Sequence, residues 1–302
     1  MTRQSAGAHS RVRDAAGRTA SSTHSIRPEE GPARLAGVIG RIPYRLALAG
    51  GWIDQPFVSR HNPKPPGSMV VVGLEPVSRF MERAGLATGT RAVATKLWRG
   101  RLPNRPPAVL TRQLYEAENR GKAEPSGSQD MIGLIYPGIS RLDYDFAANG
   151  GVFPTHIESL HDERSARWLE RVIQLLPVAP RPEGYSPLGE KNLDPKWAAR
   201  LGQTGKDCFE AIRCRDLPAL GAALNDCMVC WEKLLPHTVR HPTLQVDLMG
   251  LLRAYQSCYP GAMYSGCGGG YLVVASAAPV PGAFRVKVRR PSVPGAPASS
   301  PA

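Results

Sequence analysis

Three short stretches carry residue types that could act together on a phosphate or a hydroxyl. "RIPYRLALAGGWID" sets Arg45 and Asp54 at either end of an apolar run that enters Gly50 and Gly51, and glycine lets backbone approach a ligand closely. "AGLATGTRAVA", Ala84 to Ala94, is a loop of small residues opening into a helix, and the free amides of a helix N-terminus bind phosphate. "EPSGSQDMIG" places Asp130 in a loop of small residues with Gly133 just beyond, where a carboxylate can serve as a base or an ionic anchor. Singly, each has a plain structural role: Arg45 as a surface arginine on a strand, Asp54 as a turn residue before Gln55-Pro56, Asp130 as a helix cap. A fourth stretch, "YSGCGGGYLVV" from Tyr264 to Val274, is either a phosphate cradle or a tight turn. Neither G-x-G-x-x-G nor G-x-x-x-x-G-K-[ST] occurs, which argues against a Rossmann or Walker-type site.

The elements that must position these residues alternate in type. "YRLALA", "SMVVVGL", "SRLDYDF" and "RVIQLLPVAP" read as strands, while "TRAVATKLW" and "AVLTRQLYEAENRG" have apolar residues three and four apart and read as helices. After the Pro/Gly-rich connector "RPEGYSPLGEKN" the chain turns helical in "PKWAARLGQTGKDCFEAIRC", "LPALGAALNDCMVCWEKLL" and "VDLMGLLRAYQS". The glycine run follows, then the strand "YLVVAS" and a last strand "AFRVKVR". Strands segregated from helices in this way predict an α+β protein rather than a doubly wound parallel sheet.

Composition narrows the classes. The 302 residues suffice for two packed cores, and no apolar run approaches the roughly 18 residues that would span a bilayer. The start "MTRQSAGAHSRVRD" lacks the apolar core of a secretory signal, so a cytoplasmic protein with no membrane partner is expected. Of the net charge of +13, eight units lie in the two ends, up to Arg41 and from Arg285 onward. The mildly basic middle suits an enzyme for anionic substrates, and no specific nucleic-acid partner is expected. Residues 1–37, rich in Ser, Ala, Arg and Gly, and the tail 291–302, "PSVPGAPASSPA", read as disordered. All six cysteines fall in the C-terminal third. Cys227 and Cys230 form a C-x-x-C, but on an amphipathic helix they read as small buried hydrophobes rather than zinc ligands, and the five-residue spacing of Cys208 and Cys214 is outside zinc spacing. His237 and His241 have i, i+4 spacing but no following Glu, and Pro242 interrupts any helix.

Taken in order, the four stretches resemble the GHMP kinases, the family of galactokinase, homoserine, mevalonate and phosphomevalonate kinases, over roughly Arg41 to Arg290. "PYRLALAGGWID" is similar to the family's first motif, P-G-R-V-N-L-I-G-E-H-T-D, with Arg45 on its arginine and Asp54 on its aspartate, and with Gly51 where a glutamate is frequent. The "LAGGWID" form looks most like the fucokinase and heptose-phosphate kinase branches. "PSGSQD" carries Asp130 onto the family's catalytic aspartate; Glu118, with Glu116 as a second choice, stands where its magnesium-ligating glutamate lies; and "YSGCGGGYLVV" matches G-A-G-G-G-G-F. The second motif, P-x-x-x-G-L-G-S-S-A, is filled by "GLATGT", with Ala87 for a glycine, Gly89 for a serine and no preceding proline.

The resemblance implies a two-domain GHMP kinase fold: a trimmed ribosomal S5 domain 2-like domain over residues 38–165 and a ferredoxin-like α/β-layer domain over 166–290. It implies ATP and Mg²⁺ as cofactors, catalysis by Asp130 and Arg45, and phosphates held by Gly85, Leu86, Ala87, Thr88, Gly89 and Thr90. A sugar would be held by Gly50, Gly51, Asp54, Gly266, Gly268 and Gly269, and magnesium by Glu118 and Thr88. The expected activity is phosphoryl transfer to a hydroxyl, in particular the anomeric one, of a hexose or heptose or its phosphate, by a monomer or homodimer. The alternative is a catalytically silent member that binds sugar or nucleotide as a regulator; nucleic-acid binding through the basic ends ranks third.

Overall fold

The computed structural model describes residues 41–291 except Ser78, Ala123 and Glu124, so the expected leader and all of the expected tail beyond Pro291 lie outside the described residues. The first half runs β1 (Tyr44–Ala47), α1 (Pro56–Ser59), β2 (Gly67–Leu74), α2 (Thr88–Leu97), α3 (Pro107–Asn119), α4 (Gln129–Ile135), β3 (Ile139–Tyr144), α5 (Phe146–Asn149) and β4 (His156–Leu160). The second runs α6 (Glu163–Val172), β5 (Ile173–Ala179), α7 (Pro195–Cys214), α8 (Leu217–Leu234), α9 (Leu248–Cys258), β6 (Gly261–Gly266), β7 (Gly269–Ala275) and β8 (Phe284–Arg285), with a 3₁₀ turn at Pro236–Thr238.

Two antiparallel four-stranded sheets form, in the orders β1-β2-β3-β4 and β6-β7-β5-β8. β2 is buried at every position, so it is covered on both faces, and its valines suit such a strand. Helices α4 and α7 pack on it. Side chains of both sheets, including Leu46, Val70, Leu175 and Val273, share one apolar core with α7 and α8. A second cluster of Ile42, Ala94, Leu110, Leu114, Met131 and Leu134 joins α2, α3 and α4. This satellite core fixes the start of α2 against the helix that bears Asp130.

Several elements differ from the sequence expectation. Asp130 lies in the first turn of α4, not in a loop: the small residues before it end at the buried Ser128, and Met131, Ile132, Leu134 and Ile135 supply enough apolar surface to seat a short helix. β4 is a half-exposed edge strand with His156, Glu158 and Ser159, so it shows no apolar alternation. β6, "GAMYSG", is buried but rich in glycine and serine, the residues that signal a turn. The expected strand "RVIQLLPVAP" begins as the end of α6, whose start is capped by Asp162 accepting from the Ser165 N–H at 2.7 Å. The expected strand "AFRVKVR" pairs in its own sheet only at Phe284–Arg285. From there the chain crosses to the first sheet, where Glu75 N–H donates to Lys287 O at 2.8 Å, Arg289 N–H to Gly73 O at 2.8 Å and Gly138 N–H to Arg289 O at 2.8 Å. The Arg289 guanidinium then donates to Leu134 O and Ile135 O, satisfying carbonyls at the C-terminus of α4. Among the described residues no helix is long and apolar enough to cross a membrane.

Candidate active site

A cavity of about 510 Å³ lies where β1, the turn after it, the start of α4 and the β6–β7 hairpin meet, and its wall includes Arg45, Gly51, Asp54, Gly85, Asp130 and Gly266. Residues from all four stretches singled out in the sequence therefore reach one cavity.

Arg45 is buried on β1 and forms an ion pair with Asp130 through Nη2. Its Nη1 donates to Gly85 O at 3.3 Å, so one guanidinium links the carboxylate to the glycine loop. The second Asp130 oxygen accepts from the Thr90 hydroxyl at 3.3 Å, which ties α4 to the first turn of α2. Gly133, one turn along α4, makes room for this pair: a Cβ there would overlap Arg45 Cγ. The sequence shows Gly133 beside Asp130, but its reason is visible only once the strand lies across the helix.

Asp54 is fully buried. Burial, and secondly the nearby charge of Asp130, push its carboxyl from 3.8 up to about 7, while Arg45 acts in the opposite direction. Gln129 Nε2 donates to its Oδ1 at 3.3 Å, and its Oδ2 has no hydrogen-bond partner. A buried carboxylate oxygen left unpaired is costly.

The glycine loop lies beside the hairpin. Gly85 has φ +78, and a Cβ on it would fall 2.6 Å from Gly266 N and from Ser265 O; only glycine allows both the conformation and the approach. Leu86 is buried in the core, and Ala87 enters α2 at φ +54 with no side-chain cap. Gly89 faces open space. The first amides of α2 are therefore without intrahelical partners. The Thr88 hydroxyl accepts from Arg83 N–H at 3.1 Å, and among the loop hydroxyls it is Thr90, not Thr88, that meets Asp130.

Of the expected phosphate-loop residues only Gly85 lines the cavity, with Leu86, Ala87, Thr88, Gly89 and Thr90 off its wall, and other expected site residues stand away from it too. Gly50 shapes the turn from behind: its φ is +89 and its N–H donates to Cys227 Sγ at 3.3 Å. Gly268 N–H donates to Thr238 O at 2.7 Å and its α-carbon faces the Tyr185 ring, while Gly269 pairs with Gly266 in the hairpin. Glu118, near the end of α3, is also off the wall; its Oε2 is buried without a hydrogen-bond partner and its Oε1 accepts from Lys122 Nζ at 3.4 Å.

Sequence reasoning missed the aromatic and cationic wall. Trp231 of α8 donates from Nε1 to Gly51 O at 3.1 Å, and its ring lies 3.0 Å from where a Gly51 Cβ would be. The indole thus takes the space of the side chain that Gly51 lacks. Trp52, at φ +82, meets Trp231 edge-on at 6.4 Å and Phe57 at 6.4 Å. Arg60, Arg181 and Lys191 complete this part of the wall. Trp231 reads in sequence as one more apolar position of an amphipathic helix, and Lys191 as part of a connector, so neither gives a local signal.

No family model matches the sequence, and no curated protein matches it. Solved structures do. The Lactococcus lactis galactokinase complexed with galactose is similar at TM-score 0.54 and 12% identity, over 81% of this chain and 89% of that one. The Methanococcus jannaschii mevalonate kinase gives 0.51 and 12%, over 79% and 90%. The L. major mevalonate kinase in complex with R-mevalonate gives 0.50 and 10%, over 84% and 96%. The chain has the fold of the GHMP kinases, a mixed arrangement of helices and two antiparallel sheets.

Proposed function

We propose that this protein is an ATP-dependent small-molecule kinase that transfers the γ-phosphoryl group to a hydroxyl of a sugar or sugar phosphate, the anomeric hydroxyl first among them. The observation that carries the reading is the junction at Asp130, where one carboxylate is held by Arg45 and by the Thr90 hydroxyl while the same Arg45 reaches Gly85 of the glycine loop. Phosphoryl transfer needs positioning and charge stabilisation more than covalent help from the protein. Asp130 accepts the proton of the acceptor hydroxyl; the acceptor oxygen forms its bond to the γ-phosphorus as the bond to the β,γ-bridging oxygen breaks and ADP leaves. Arg45 orients Asp130 and offers positive charge to the transferred group. Asp54 and the backbone at Gly51 hold acceptor hydroxyls, and the uncapped amides of α2 together with Gly85 hold the phosphates of the donor.

Two side-chain oxygens are the candidates for holding a hard divalent cation. The orphaned Oε2 of Glu118 and the Thr88 hydroxyl are oxygen donors of the kind Mg²⁺ takes. Mg²⁺ bound there would neutralise phosphate charge. The sugar is the expected small-molecule partner, and the cytoplasm the expected location.

The test is radiolabel transfer from γ-labelled ATP to a panel of hexoses, heptoses and their phosphates. Labelled sugar phosphate is the expected product, and no label above background on any acceptor would remove the reading. A silent, ligand-binding member is the second reading. It is favoured by Ala87, which strains the loop where a glycine would not, and by the position of Glu118 off the cavity wall. Calorimetry adds to the separation, because a silent member that binds sugar can do so without binding Mg-ATP, whereas a kinase binds both.

A further inference from the structure

Resting on the kinase reading, we infer that the acceptor is a phosphorylated sugar, whose phosphomonoester is held by Arg60 and Lys191 at the aromatic end of the cavity. Both side chains line the same cavity as Asp130 and Asp54. Neither has a carboxylate within ion-pair distance among the described residues. Each is held by an aromatic face: the Arg60 guanidinium lies 5.3 Å from the centroid of Phe146, and Lys191 Nζ lies 4.7 Å from that of Phe57. Arg60 Nε is also fixed on Pro56 O at 3.1 Å. An aromatic face positions a cation without neutralising it, so both positive charges remain available to a ligand.

The charge of the wall agrees. It carries Arg45, Arg60, Arg181 and Lys191 against only Asp54 and Asp130, and Arg45 is already paired. Trp52 lines the same cavity, and an aromatic ring on a cavity wall can take the apolar face of a sugar. An acceptor in this cavity would have its phosphate at Arg60 and Lys191 and its free hydroxyls toward Asp54 and Asp130, which line the same wall. Two cations match the near-dianion of a phosphomonoester at neutral pH better than they match a single carboxylate.

The experiment compares kcat/KM with Mg-ATP for glucose, mannose and galactose, for their 6-phosphates, and for the matching hexuronates. Calorimetry of the same compounds is run in parallel on wild type and on the Arg60→Gln and Lys191→Gln variants. The 6-phosphates are expected to bind roughly tenfold to a hundredfold more tightly than their parent sugars, the range of one or two charge-assisted hydrogen bonds, and each variant to lose most of that preference. Equal binding of phosphates and neutral sugars, a preference for the hexuronates, or a preference unchanged in both variants would overturn the subsite. If the phosphates bind in preference but no acceptor is phosphorylated, the subsite stands and the kinase reading falls. If neutral sugars are phosphorylated as well as their phosphates, the kinase reading stands and the subsite falls.

Discussion

Two carboxylates on one cavity wall are kept apart in chemistry by what surrounds them. Asp130 meets a guanidinium and a hydroxyl, whereas Asp54 is fully buried, accepts from the Gln129 side-chain amide and feels the Asp130 charge. The consequence for Asp54 can be measured. Its carboxyl is raised to about 7 in the folded chain, against 3.8 when free, so between those values the folded state holds a proton that the unfolded state has lost. Stability should therefore fall as pH rises from about 4 to about 7 and then level off. The loss across that window is at most about 4 kcal/mol. Urea unfolding of Asp54→Asn across this range should show a flatter profile and greater stability than wild type above pH 7. A variant whose profile follows that of wild type would show that Asp54 is not the titrating group. The residue types at Arg45, Asp54 and Asp130 were legible in the sequence as candidates because charged groups beside glycines are unlike core. Trp52, Arg60, Lys191 and Trp231 were not, since each is ordinary within its own segment and becomes part of the site only through contacts between distant segments.

At the scale of elements, the start of α2 is the weak join. Ala87 takes a left-handed conformation at the N-cap with no side-chain cap, which costs a residue with a Cβ roughly 1 kcal/mol relative to glycine. Ala87→Gly should accordingly stabilise the protein by about 0.5–1 kcal/mol, read as a higher urea midpoint with an unchanged slope; a loss of stability would mean that the loop is not held as described. Elements with a clean apolar period were readable: α7 and α8 span Pro195–Cys214 and Leu217–Leu234, close to their expected bounds. α4 was not, because seven residues containing Gly133 after a run of small residues give no helical period. β4 and β6 were hidden in the same way, one by an exposed polar face and the other by glycine and serine.

For the whole molecule, the glycine run proves to be a contact between sheets and loops. Gly266 lies against Gly85, and a Cβ at Gly270 would meet the backbone of Ala84, so the hairpin buttresses the glycine loop from the second sheet. The segment after β8 works in the other direction, leaving the second sheet to pair with Gly73 and Glu75 of the first and to close the end of α4. The α+β class was legible from the segregation of strand and helix patterns. The crossing was not, because a strand that changes sheets midway keeps one apolar alternation throughout. Both devices converge on the carboxylate of Asp130, which in the proposed reaction takes the acceptor proton. That role is open to single-turnover transfer of labelled γ-phosphate from ATP by wild type and by Asp130→Asn, with folding checked by circular dichroism and sugar binding by calorimetry. The variant should bind sugar but transfer about 10²–10⁴-fold more slowly, the usual contribution of a general base; transfer at the wild-type rate would contradict the assignment.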